Sequence, residues 1–570
     1  MYRETYENWR LAKALTPEER AELDAIASDD QEIKERFHAP LAFGTAGLRG
    51  IMGMGLARMN VHVIRHATQG FAEVISAEGE AAAKAGVVIA YDCRINSDLF
   101  AKEAASVMAA NGVHVRIFPD MRPTPQLSFA IPRYGATAGI NITASHNPPA
   151  YNGYKVYWSD GAQLPTSFAK VVAARMAEID LFAGVKTMDY QTAIDEGRIT
   201  ILGPEADEEF LEAVLNESVD QGSVAKVADT FKIVYTPFHG TGRIVVPEAL
   251  RRIGFQHILP VAAQMVPDGT FATVKSPNPE DPEGFTLALE LARANKAELI
   301  IGTDPDTDRV GAMVRHNGDY QMISGNQMGV LLLGYLIAAK KVAGTLPQNA
   351  AFIQSIVSTE MSMDIAKREG LAAYKTFTGF KNMAEKATAL GDSKTVIFSY
   401  EESYGYMIGT FVKDKDAVTA SLIIAEMAAW YKTRGMTLID GLEEHFQTLG
   451  RYYEEHTLNL VMPGYDGLQK MQALMDTLRT SPPTEIGGQQ VVTICDYQSG
   501  KSTTNGVENA MELSGSNVLG FTLADGTNFL VRPSGTEPKV KVYILAQGKD
   551  RAACQETVRR CEVYAETLRG

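Results

Sequence analysis

The stretch Glu298-Leu-Ile-Ile-Gly-Thr-Asp-Pro-Asp-Thr-Asp-Arg309 joins a short apolar run to a loop that carries three carboxylates. Apolar runs of this length, bounded by turn residues, are typical of buried strands in a parallel sheet. The three aspartates do not share a helix face, because residues two apart diverge on a helix and Pro305 disfavours helix at Asp304. Three oxygen ligands on an extended loop suit Mg²⁺. The stretch therefore predicts a strand that ends at a metal site.

The same order of elements occurs three times along the chain. A strand, a helix closed by glycine and a second strand are predicted over Gly86 to Phe118, Lys232 to about residue 261, and Ala351 to Phe377. In the second copy the helix is expected after Pro247. Each copy leads to a further apolar strand and a polar loop, and these loops are Thr143-Ala-Ser-His-Asn-Pro148, the aspartate loop and Glu401-Glu-Ser-Tyr-Gly405. This spacing predicts βαβ units in mainly parallel sheets, which bind ligands outside the carboxyl ends of their strands.

The last part of the chain has a different pattern. Pro482-Pro483 lies in a polar stretch that reads as a linker, and Val518 to Val531 forms a hairpin signature around Asp525-Gly526. A closing helix is predicted over about 550–568, with Cys554 and Cys561 at helical spacing as buried residues. We therefore expect an α+β domain after the three α/β domains.

The composition excludes several classes of protein. The chain has 570 residues, 45% of them hydrophobic and 22% charged, with a net charge of −15 and four cysteines. The negative charge argues against nucleic-acid and membrane partners, and the few cysteines favour a reducing compartment, so we expect a cytoplasmic protein. The longest apolar stretch, Met328 to Ala339, is about half of the roughly 20 residues that span a bilayer and predicts a buried helix.

Two further segments suggest phosphate chemistry. Ser145 lies in a turn after an apolar strand, where a hydroxyl is a candidate nucleophile once a base or a metal activates it. Arg532-Pro-Ser-Gly-Thr-Glu-Pro538 combines a guanidinium, two hydroxyls and backbone N–H groups around Gly535, which is a candidate phosphate site. Taken singly, a solvated acidic turn is the better explanation of the aspartate loop and a plain capped turn the better explanation of Ser145, and a plain β-turn is the alternative for the Arg532 loop.

Together with Phe43-Gly-Thr-Ala-Gly-Leu-Arg-Gly50 and Asn152-Gly-Tyr-Lys155, these motifs make the chain resemble the α-D-phosphohexomutase superfamily. The resemblance is strongest to the branch that holds the second type of phosphoglucomutase and phosphopentomutase. It implies a heart-shaped fold around a central cleft, with three similar α/β domains of mainly parallel mixed sheets and a C-terminal α+β domain. The implied limits are 1–204 for the N-terminal helical segment and phosphoserine domain, 205–324 for the metal-binding domain, 325–450 for the sugar-binding domain, and 451–570 for the linker and C-terminal phosphate-binding domain.

The resemblance also implies a role for each site residue. Ser145 is the implied phosphoserine, and one Mg²⁺ per subunit is held by Ser145, Asp304, Asp306 and Asp308. The implied catalytic groups around the transferring phosphoryl are Arg49, His146, Lys155, Arg309 and Lys381. Sugar hydroxyls are assigned to Glu401 and Ser403, and the non-reacting phosphate to Arg532, Ser534, Gly535 and Thr536. One departure from the family pattern is Tyr400, which stands where many members have glycine.

The implied activity interconverts glucose 1-phosphate and glucose 6-phosphate through glucose 1,6-bisphosphate, which is both intermediate and activator. Phosphopentomutase is the nearest alternative, and mannose phosphate remains open as the sugar. From other classes, a haloacid-dehalogenase-like phosphatase with Asp304 as nucleophile and a non-enzymatic sugar-phosphate sensor are also considered. The expected partners are small sugar phosphates, and the expected oligomeric state is a monomer or a homodimer.

Overall fold

The computed structural model describes residues 2–44, 47–462, 467–534 and 539–569. The chain divides into two compact units. The first consists of Met1–Ile323 with Tyr404–Gly435, and the second of Ser324–Ser403 with Met436–Gly570. Each unit contains more than one sheet.

The first sheet lies in the N-terminal part of the first unit. Its elements and their neighbours are α1 (Tyr2–Arg10), α2 (Pro17–Ala25), α3 (Asp30–Phe37), β1 (Leu48–Ile51), α4 (Val61–Ala77), α5 (Glu80–Ala85), β2 (Val87–Tyr91), α6 (Ser97–Ala110), β3 (Val115–Ile117), α7 (Thr124–Arg133), β4 (Ala138–Ile142), β5 (Tyr151–Trp158), α8 (Thr166–Glu178), α9 (Tyr190–Asp195) and β6 (Ile199–Ile201). The strand order is β1-β5-β4-β2-β3-β6. Strands β4, β2, β3 and β6 are parallel, whereas β5 runs antiparallel to both β4 and β1.

The second sheet, also in the first unit, contains the strand before the aspartate loop. Its region comprises α10 (Glu205–Leu215), α11 (Gln221–Val227), β7 (Lys232–Thr236), α12 (Gly242–Arg252), β8 (His257–Pro260), 3₁₀ helices Ala262–Gln264 and Pro282–Phe285, α13 (Thr286–Asn295), β9 (Leu299–Thr303), β10 (Val310–His316) and β11 (Asp319–Ile323). The order is β11-β10-β9-β7-β8, in which β7, β8 and β9 are parallel and β10 and β11 are antiparallel additions. The parallel centre places the ends of β7 and β9 at one edge.

The prediction that the helix of this repeat begins after Pro247 was wrong. Helix α12 begins at Gly242 and contains Pro247, which is buried. Pro247 lacks the N–H that would bond to the carbonyl of Arg243, and its ring crowds that carbonyl. The buried apolar face of α12 outweighs the loss of one bond.

The second unit begins with the third repeat. The elements here are α14 (Gly325–Ala343), β12 (Ala350–Ser355), α15 (Glu360–Glu369), β13 (Ala372–Thr376), α16 (Phe380–Leu390), a 3₁₀ helix Gly391–Ser393 and β14 (Thr395–Glu401). Strand β12 pairs in parallel with both β13 and β14. The chain then contributes β15 (Gly405–Ile408) and α17 (Ala417–Thr433) to the first unit and returns with α18 (Leu438–Leu449).

The C-terminal part of the second unit forms a separate, antiparallel sheet. Its elements are β16 (Tyr452–Val461), α19 (Gly467–Thr480), β17 (Glu485–Ile486), β18 (Gln489–Asp496), β19 (Lys501–Thr504), β20 (Val507–Ala510), β21 (Leu519–Leu523), β22 (Asn528–Pro533), β23 (Lys539–Gly548) and α20 (Arg551–Thr567). The order is β16-β23-β22-β21-β18-β19-β20, and β17 pairs with β18. The predicted hairpin is β21–β22, and α20 buries Cys554 and Cys561 as expected. The expected fold class, three α/β regions followed by an α+β region, is confirmed.

Buried apolar side chains form a core in each sheet region. In the first region α1 and α3 join the same buried core as the sheet, through residues such as Trp9 and Phe37. The apolar stretch from Met328 lies in α14, which is buried over most of its length, as predicted. None of the helices that the structure describes is long and apolar enough to cross a lipid bilayer.

Candidate active site

The aspartate loop turns sharply between β9 and β10. Asp304 Oδ1 accepts hydrogen bonds from the backbone N–H groups of Asp308 (3.1 Å) and Arg309 (3.0 Å), and Thr307 has a positive φ of 55°. This turn brings carboxylate oxygens of Asp304, Asp306 and Asp308 within 4.8 Å of one another. All three side chains are buried. The loop is thus a compact cluster of oxygen ligands.

The charges of the cluster are only partly balanced by protein groups. Burial and the neighbouring charges of Asp306 and Asp308 raise the pKa of Asp304 well above its usual range. Burial would also raise the pKa of Asp306, but the charge and hydrogen bond of Lys155, together with Asp304 and the charge of Lys415, outweigh burial and lower that pKa. Asp306 Oδ1 and Asp308 Oδ1 are buried and have no hydrogen-bond partner among the described residues. Unpartnered buried oxygens of this kind fit a hard cation such as Mg²⁺.

Ser145 lies against this cluster. It follows β4 in a short turn, with a φ of 52°, and its backbone N–H donates to Thr143 Oγ1 at 2.9 Å. Its hydroxyl donates to Asp304 Oδ2 at 2.7 Å and lies 3.2 Å from Nδ1 of His146. The structure therefore brings Ser145 and the aspartates together, although 159 positions separate Ser145 from Asp304 in the sequence.

His146 is half-buried and lies near positively charged side chains. Burial, followed by the charge of Arg309, lowers the pKa of His146 well below its ordinary value. The imidazole is therefore neutral at neutral pH, so one ring nitrogen can accept a hydrogen bond while the other donates.

Two lysines contact the aspartates directly. Lys155 of β5 places Nζ 2.7 Å from Asp306 Oδ2 and 3.6 Å from Asp308 Oδ2. Lys415, just before α17, places Nζ 3.1 Å from Asp308 Oδ2 and 3.3 Å from Asp414 Oδ1. Lys155 was predicted from the sequence, but Lys415 was not. The only sequence signal for Lys415 is the charged run Lys413-Asp-Lys-Asp416 next to a strongly apolar helix.

Two arginines flank Ser145 and the aspartates. Arg49 of β1 donates from Nη1 to Asn147 Oδ1 at 3.2 Å and so contacts the turn that carries Ser145. Arg309, which follows Asp308, donates from Nη1 to Glu280 Oε1 at 2.9 Å. Both belong to the same unit as Ser145. Thr45 and Ala46 of the predicted Arg49 motif lie outside the described residues.

The remaining predicted site residues belong to the second unit. Glu401, at the end of β14, is buried, and its Oε1 accepts a hydrogen bond of 2.5 Å from the backbone N–H of Gly379. Gly379 immediately precedes α16, whose second residue is Lys381, so the structure brings the motifs of Glu401 and Lys381 together. Burial lowers the pKa of Lys381. Ser403 follows Glu401 in the turn after β14 and is half-buried.

Tyr400 directs its side chain away from this turn. The ring is fully buried, its hydroxyl lies 2.7 Å from Ser362 Oγ, and it stacks on Phe352 with 5.9 Å between the ring centroids. It packs over Gly329 of α14, where an added Cβ would lie 2.4 Å from the ring. Tyr400 is therefore a core residue, and the backbone at Glu401 is free to form the turn.

The predicted phosphate site lies at the end of β22. Arg532 is paired across the sheet with Lys541 of β23, and like charges in such a position are unfavourable unless an anion lies near. The charges of both Glu402 and Arg532 act on the pKa of Tyr543, although burial is the main reason that this pKa is raised. The backbone N–H of Ser534 donates to the carbonyl of Lys539 at 2.9 Å. Gly535 and Thr536 lie outside the described residues.

Comparison with known proteins identifies the family. Models of the phosphoglucomutase/phosphomannomutase family match residues 40–182 (alpha/beta/alpha domain I), 208–318 (domain II), 324–449 (domain III) and 480–559 (C-terminal domain). The chain is 37% identical over 525 residues to the phosphoglucomutase of Staphylococcus aureus strain MRSA252, an alignment that covers 90% of this chain and 91% of the relative.

Solved structures share the fold. Parafusin from Paramecium, an exocytosis-sensitive phosphoprotein and phosphoglucomutase, aligns with a TM-score of 0.67 at 17% identity over 93% of this chain and 95% of its own. A phosphoglucomutase/phosphomannomutase family protein from Burkholderia thailandensis aligns with a TM-score of 0.66 at 18% identity over 92% of this chain and 97% of its own. These likenesses agree with the four sequence matches. The chain therefore belongs to the phosphoglucomutase/phosphomannomutase family, within the α-D-phosphohexomutase superfamily.

Proposed function

We propose that this protein is a Mg²⁺-dependent phosphoglucomutase, which interconverts glucose 1-phosphate and glucose 6-phosphate. The observation that carries the proposal is the hydroxyl of Ser145, which is hydrogen-bonded to Asp304 within a buried cluster of three aspartates. The relative from Staphylococcus aureus, similar over most of both chains, supports glucose as the sugar. Family membership favours this reading over a phosphatase with Asp304 as nucleophile or a sugar-phosphate sensor.

Ser145 is the phosphate carrier in this proposal. A hydroxyl of the sugar phosphate attacks phosphorus of phosphoserine and gives up its proton, the bond between phosphorus and Ser145 Oγ breaks, Oγ takes up a proton, and glucose 1,6-bisphosphate forms. The bisphosphate then turns round and returns its other phosphoryl group to Ser145. In that second step the Ser145 hydroxyl must lose its proton, and Asp304 Oδ2 and His146 Nδ1 are the two acceptors in contact with it.

Transfer of a phosphoryl group depends mainly on positioning and on stabilising negative charge. Mg²⁺, held by Ser145, Asp304, Asp306 and Asp308, would neutralise charge on the phosphoryl oxygens. Lys155 and Lys415 hold Asp306 and Asp308 in place, and Arg49 lies at the Ser145 turn. A protein with a net charge of −15 can in this way bind an anion through a local concentration of cations.

The second unit would supply recognition of the sugar phosphate. We assign the sugar hydroxyls to Glu401 and Ser403, additional positive charge to Lys381, and the non-reacting phosphate to Arg532, Ser534, Gly535 and Thr536. The like-charged pair of Arg532 and Lys541 supports the phosphate assignment. We further propose domain limits at 1–204, 205–324, 325–450 and 451–570, glucose 1,6-bisphosphate as activator, a monomer or homodimer, and a cytoplasmic location.

Two measurements test this proposal. Incubation with glucose 1,6-bisphosphate labelled in its phosphates should transfer label to the peptide that contains Ser145, and Ser145→Ala should abolish both labelling and turnover. Ser106→Ala, which removes a buried hydroxyl from α6 of the same domain, is the matched control and should label normally. Label trapped on Asp304, with turnover retained in Ser145→Ala, would establish the phosphatase instead.

The preferred sugar is tested by kcat/KM for glucose 1-phosphate, mannose 1-phosphate and ribose 1-phosphate on one preparation. We expect the glucose compound to be best. A clear preference for ribose 1-phosphate would make the protein a phosphopentomutase with the same phosphoserine chemistry.

A further inference from the structure

Arg94 is a buried arginine whose guanidinium contacts the backbone of the turn that carries Ser145. Its side chain is completely shielded from solvent. Nη2 donates to the carbonyls of Ser145 (2.6 Å) and Asn147 (2.5 Å), and Nη1 donates to the carbonyls of Pro148 (2.9 Å) and Tyr151 (2.8 Å). One guanidinium therefore binds four carbonyls within seven residues.

The guanidinium is itself fixed on its other side. Arg94 Nε lies 3.3 Å from Asp92 Oδ2, and Asp92 Oδ1 accepts hydrogen bonds from the backbone N–H of Arg94 (2.9 Å) and from Ser97 Oγ (2.8 Å). The backbone N–H of Asp92 donates to the carbonyl of Ile142, at the end of the strand that precedes Ser145. The ring of Phe271 covers the guanidinium at 5.1 Å. Arg94 has little freedom to move relative to β4.

The turn needs support of this kind. Ser145 has a φ of 52°, a left-handed conformation that is unfavourable for a residue other than glycine. Within residues 144–151 the only backbone hydrogen bonds that close a turn run from Asn147 to Ala144 and from Tyr151 to Pro148. Burying a cation costs folding free energy unless the cation is paired and hydrogen-bonded. A turn with no special geometry to maintain would not need a buried arginine.

We propose that Arg94 is a positioning residue, which holds the backbone of residues 145–151 so that Ser145 Oγ faces Asp304. It acts through the carbonyls and does not touch the phosphoryl group. The inference rests on the proposed function, because it takes Ser145 as the phosphate carrier. Lysine is the informative replacement, since it keeps the charge but lacks the planar fork that reaches several carbonyls at once.

The experiment compares Arg94→Lys and Asp92→Asn with the wild type, each in the full-length chain. Misplacement of a reacting group by about 1 Å can cost roughly 100-fold in rate, so we expect kcat of Arg94→Lys to fall by about that factor and that of Asp92→Asn by about tenfold. KM for glucose 1-phosphate should change less than about threefold, because sugar recognition is assigned to other residues. Hydrogen–deuterium exchange should rise in the peptide covering residues 143–153.

Arg36→Lys provides the matched control. Arg36 is half-buried and bonded to carboxylates and a carbonyl, but its contacts lie at Glu22, Glu32 and Met54. We expect its kcat and its exchange at residues 143–153 to match the wild type. An equal effect in Arg36→Lys would show that general loss of stability, not positioning, explains the result and would overturn the proposal.

The other possible results of this experiment also test the proposed role of Arg94. A folded Arg94→Lys protein with kcat within threefold of the wild type, or with unchanged exchange in the 143–153 peptide, would overturn the proposal. If Arg94→Lys does not fold, Asp92→Asn decides by the same two readouts. If the wild type neither labels on Ser145 nor turns over, the proposed function fails, and the exchange measurement alone then shows whether Arg94 holds the turn.

Discussion

The two carboxylate oxygens of Asp306 differ in their contacts. Oδ2 accepts hydrogen bonds from Lys155 Nζ at 2.7 Å and from Thr124 Oγ1 at 2.9 Å, whereas Oδ1 has no partner among the described residues. A carboxylate of this kind can bind a cation without giving up its protein contacts. Asp306 is therefore the aspartate whose replacement best tests metal dependence.

We expect Asp306→Ala to lower Mg²⁺-dependent turnover by about 100-fold or more, because the site would lose both a ligand and the charge that holds Lys155. Chelator should abolish wild-type turnover, and Mg²⁺ should restore it. Zn²⁺ should restore it poorly, since the site consists of oxygen ligands. Steady-state assays in metal-depleted buffer measure all three effects.

Asp319→Ala, at an exposed aspartate of the same sheet, is the control and should resemble the wild type. Full wild-type activity without metal would contradict the metal assignment.

Glu402 gives the fold a pH dependence. Burial, followed by the charge of Glu401, raises the pKa of Glu402 to about 7. Between about pH 4.5, the ordinary pKa of a glutamate, and about pH 7, Glu402 is therefore protonated in the native state but ionised in the unfolded chain. Protonated Glu402 contributes fully to the free energy of unfolding below about pH 4.5, and this contribution is lost as the pH rises from about 4.5 to about 7.

We expect Glu402→Gln to be more stable than the wild type at pH 8, by about 2–3 kcal/mol, and to match it at pH 4.5 or below. Urea unfolding of the full chain at both pH values measures the difference. Glu485→Gln, at an exposed glutamate of the same unit, should show no such pH-dependent gain. A constant difference between Glu402→Gln and the wild type at all pH values would contradict this explanation.

At the scale of elements, the packing of α14 on β14 depends on the pair of Gly329 and Tyr400. An alanine Cβ at position 329 would lie 2.4 Å from the buried Tyr400 ring. Overpacking of this kind typically costs about 1–3 kcal/mol, so Gly329→Ala should lower the free energy of unfolding by that amount. In a Tyr400→Ala background the same change should cost less than about 0.5 kcal/mol, because the ring is absent.

Chemical unfolding of the two single variants and the double variant measures this coupling. Tyr400→Ala alone should cost about 3–5 kcal/mol, since it leaves a cavity in the core. Equal costs of Gly329→Ala in both backgrounds would show that Tyr400 is not the neighbour that requires glycine.

The same elements show what sequence could and could not predict. Strands such as β2 and β9 were predicted because they are continuous apolar runs between turn residues, and α15 because Gly370 ends it. The start of α12 was missed, because a local rule about Pro247 was outweighed by packing. Motif reading identified Ser145 and Asp304 separately, and only the family resemblance placed both at one Mg²⁺. Their 2.7 Å hydrogen bond depends on how the first two sheets pack.

Lys415 shows the same limit more clearly. A charged run next to an apolar helix is ordinarily a solvated surface, and nothing local indicates that β15 and α17 join the first unit. Only that long-range connection places Lys415 at Asp308. Residues that reach a site only because a distant segment of the chain packs there cannot be identified from local sequence motifs.

At the scale of the whole molecule, the proposed chemistry is distributed over two units of the chain. Ser145 and the aspartates belong to the first, whereas Arg532 and Glu401 belong to the second. Chemistry at Ser145 and recognition of the non-reacting phosphate can therefore be perturbed separately. A substitution in the second unit should lower substrate use without altering the phosphoserine.

Arg532→Ala tests this separation. Loss of one charge-assisted contact costs about 1.5–3 kcal/mol, so kcat/KM for glucose 1-phosphate should fall by about 10- to 100-fold. Mass spectrometry of the purified variant should still find phosphate on the Ser145 peptide, because the aspartates and lysines around Ser145 are unchanged. Arg559→Ala, which removes an exposed guanidinium of α20 paired with Glu556, should leave both measurements at wild-type values. Wild-type kcat/KM in Arg532→Ala would mean that the end of β22 is only a turn, and loss of phosphoserine would mean that the two units do not act separately.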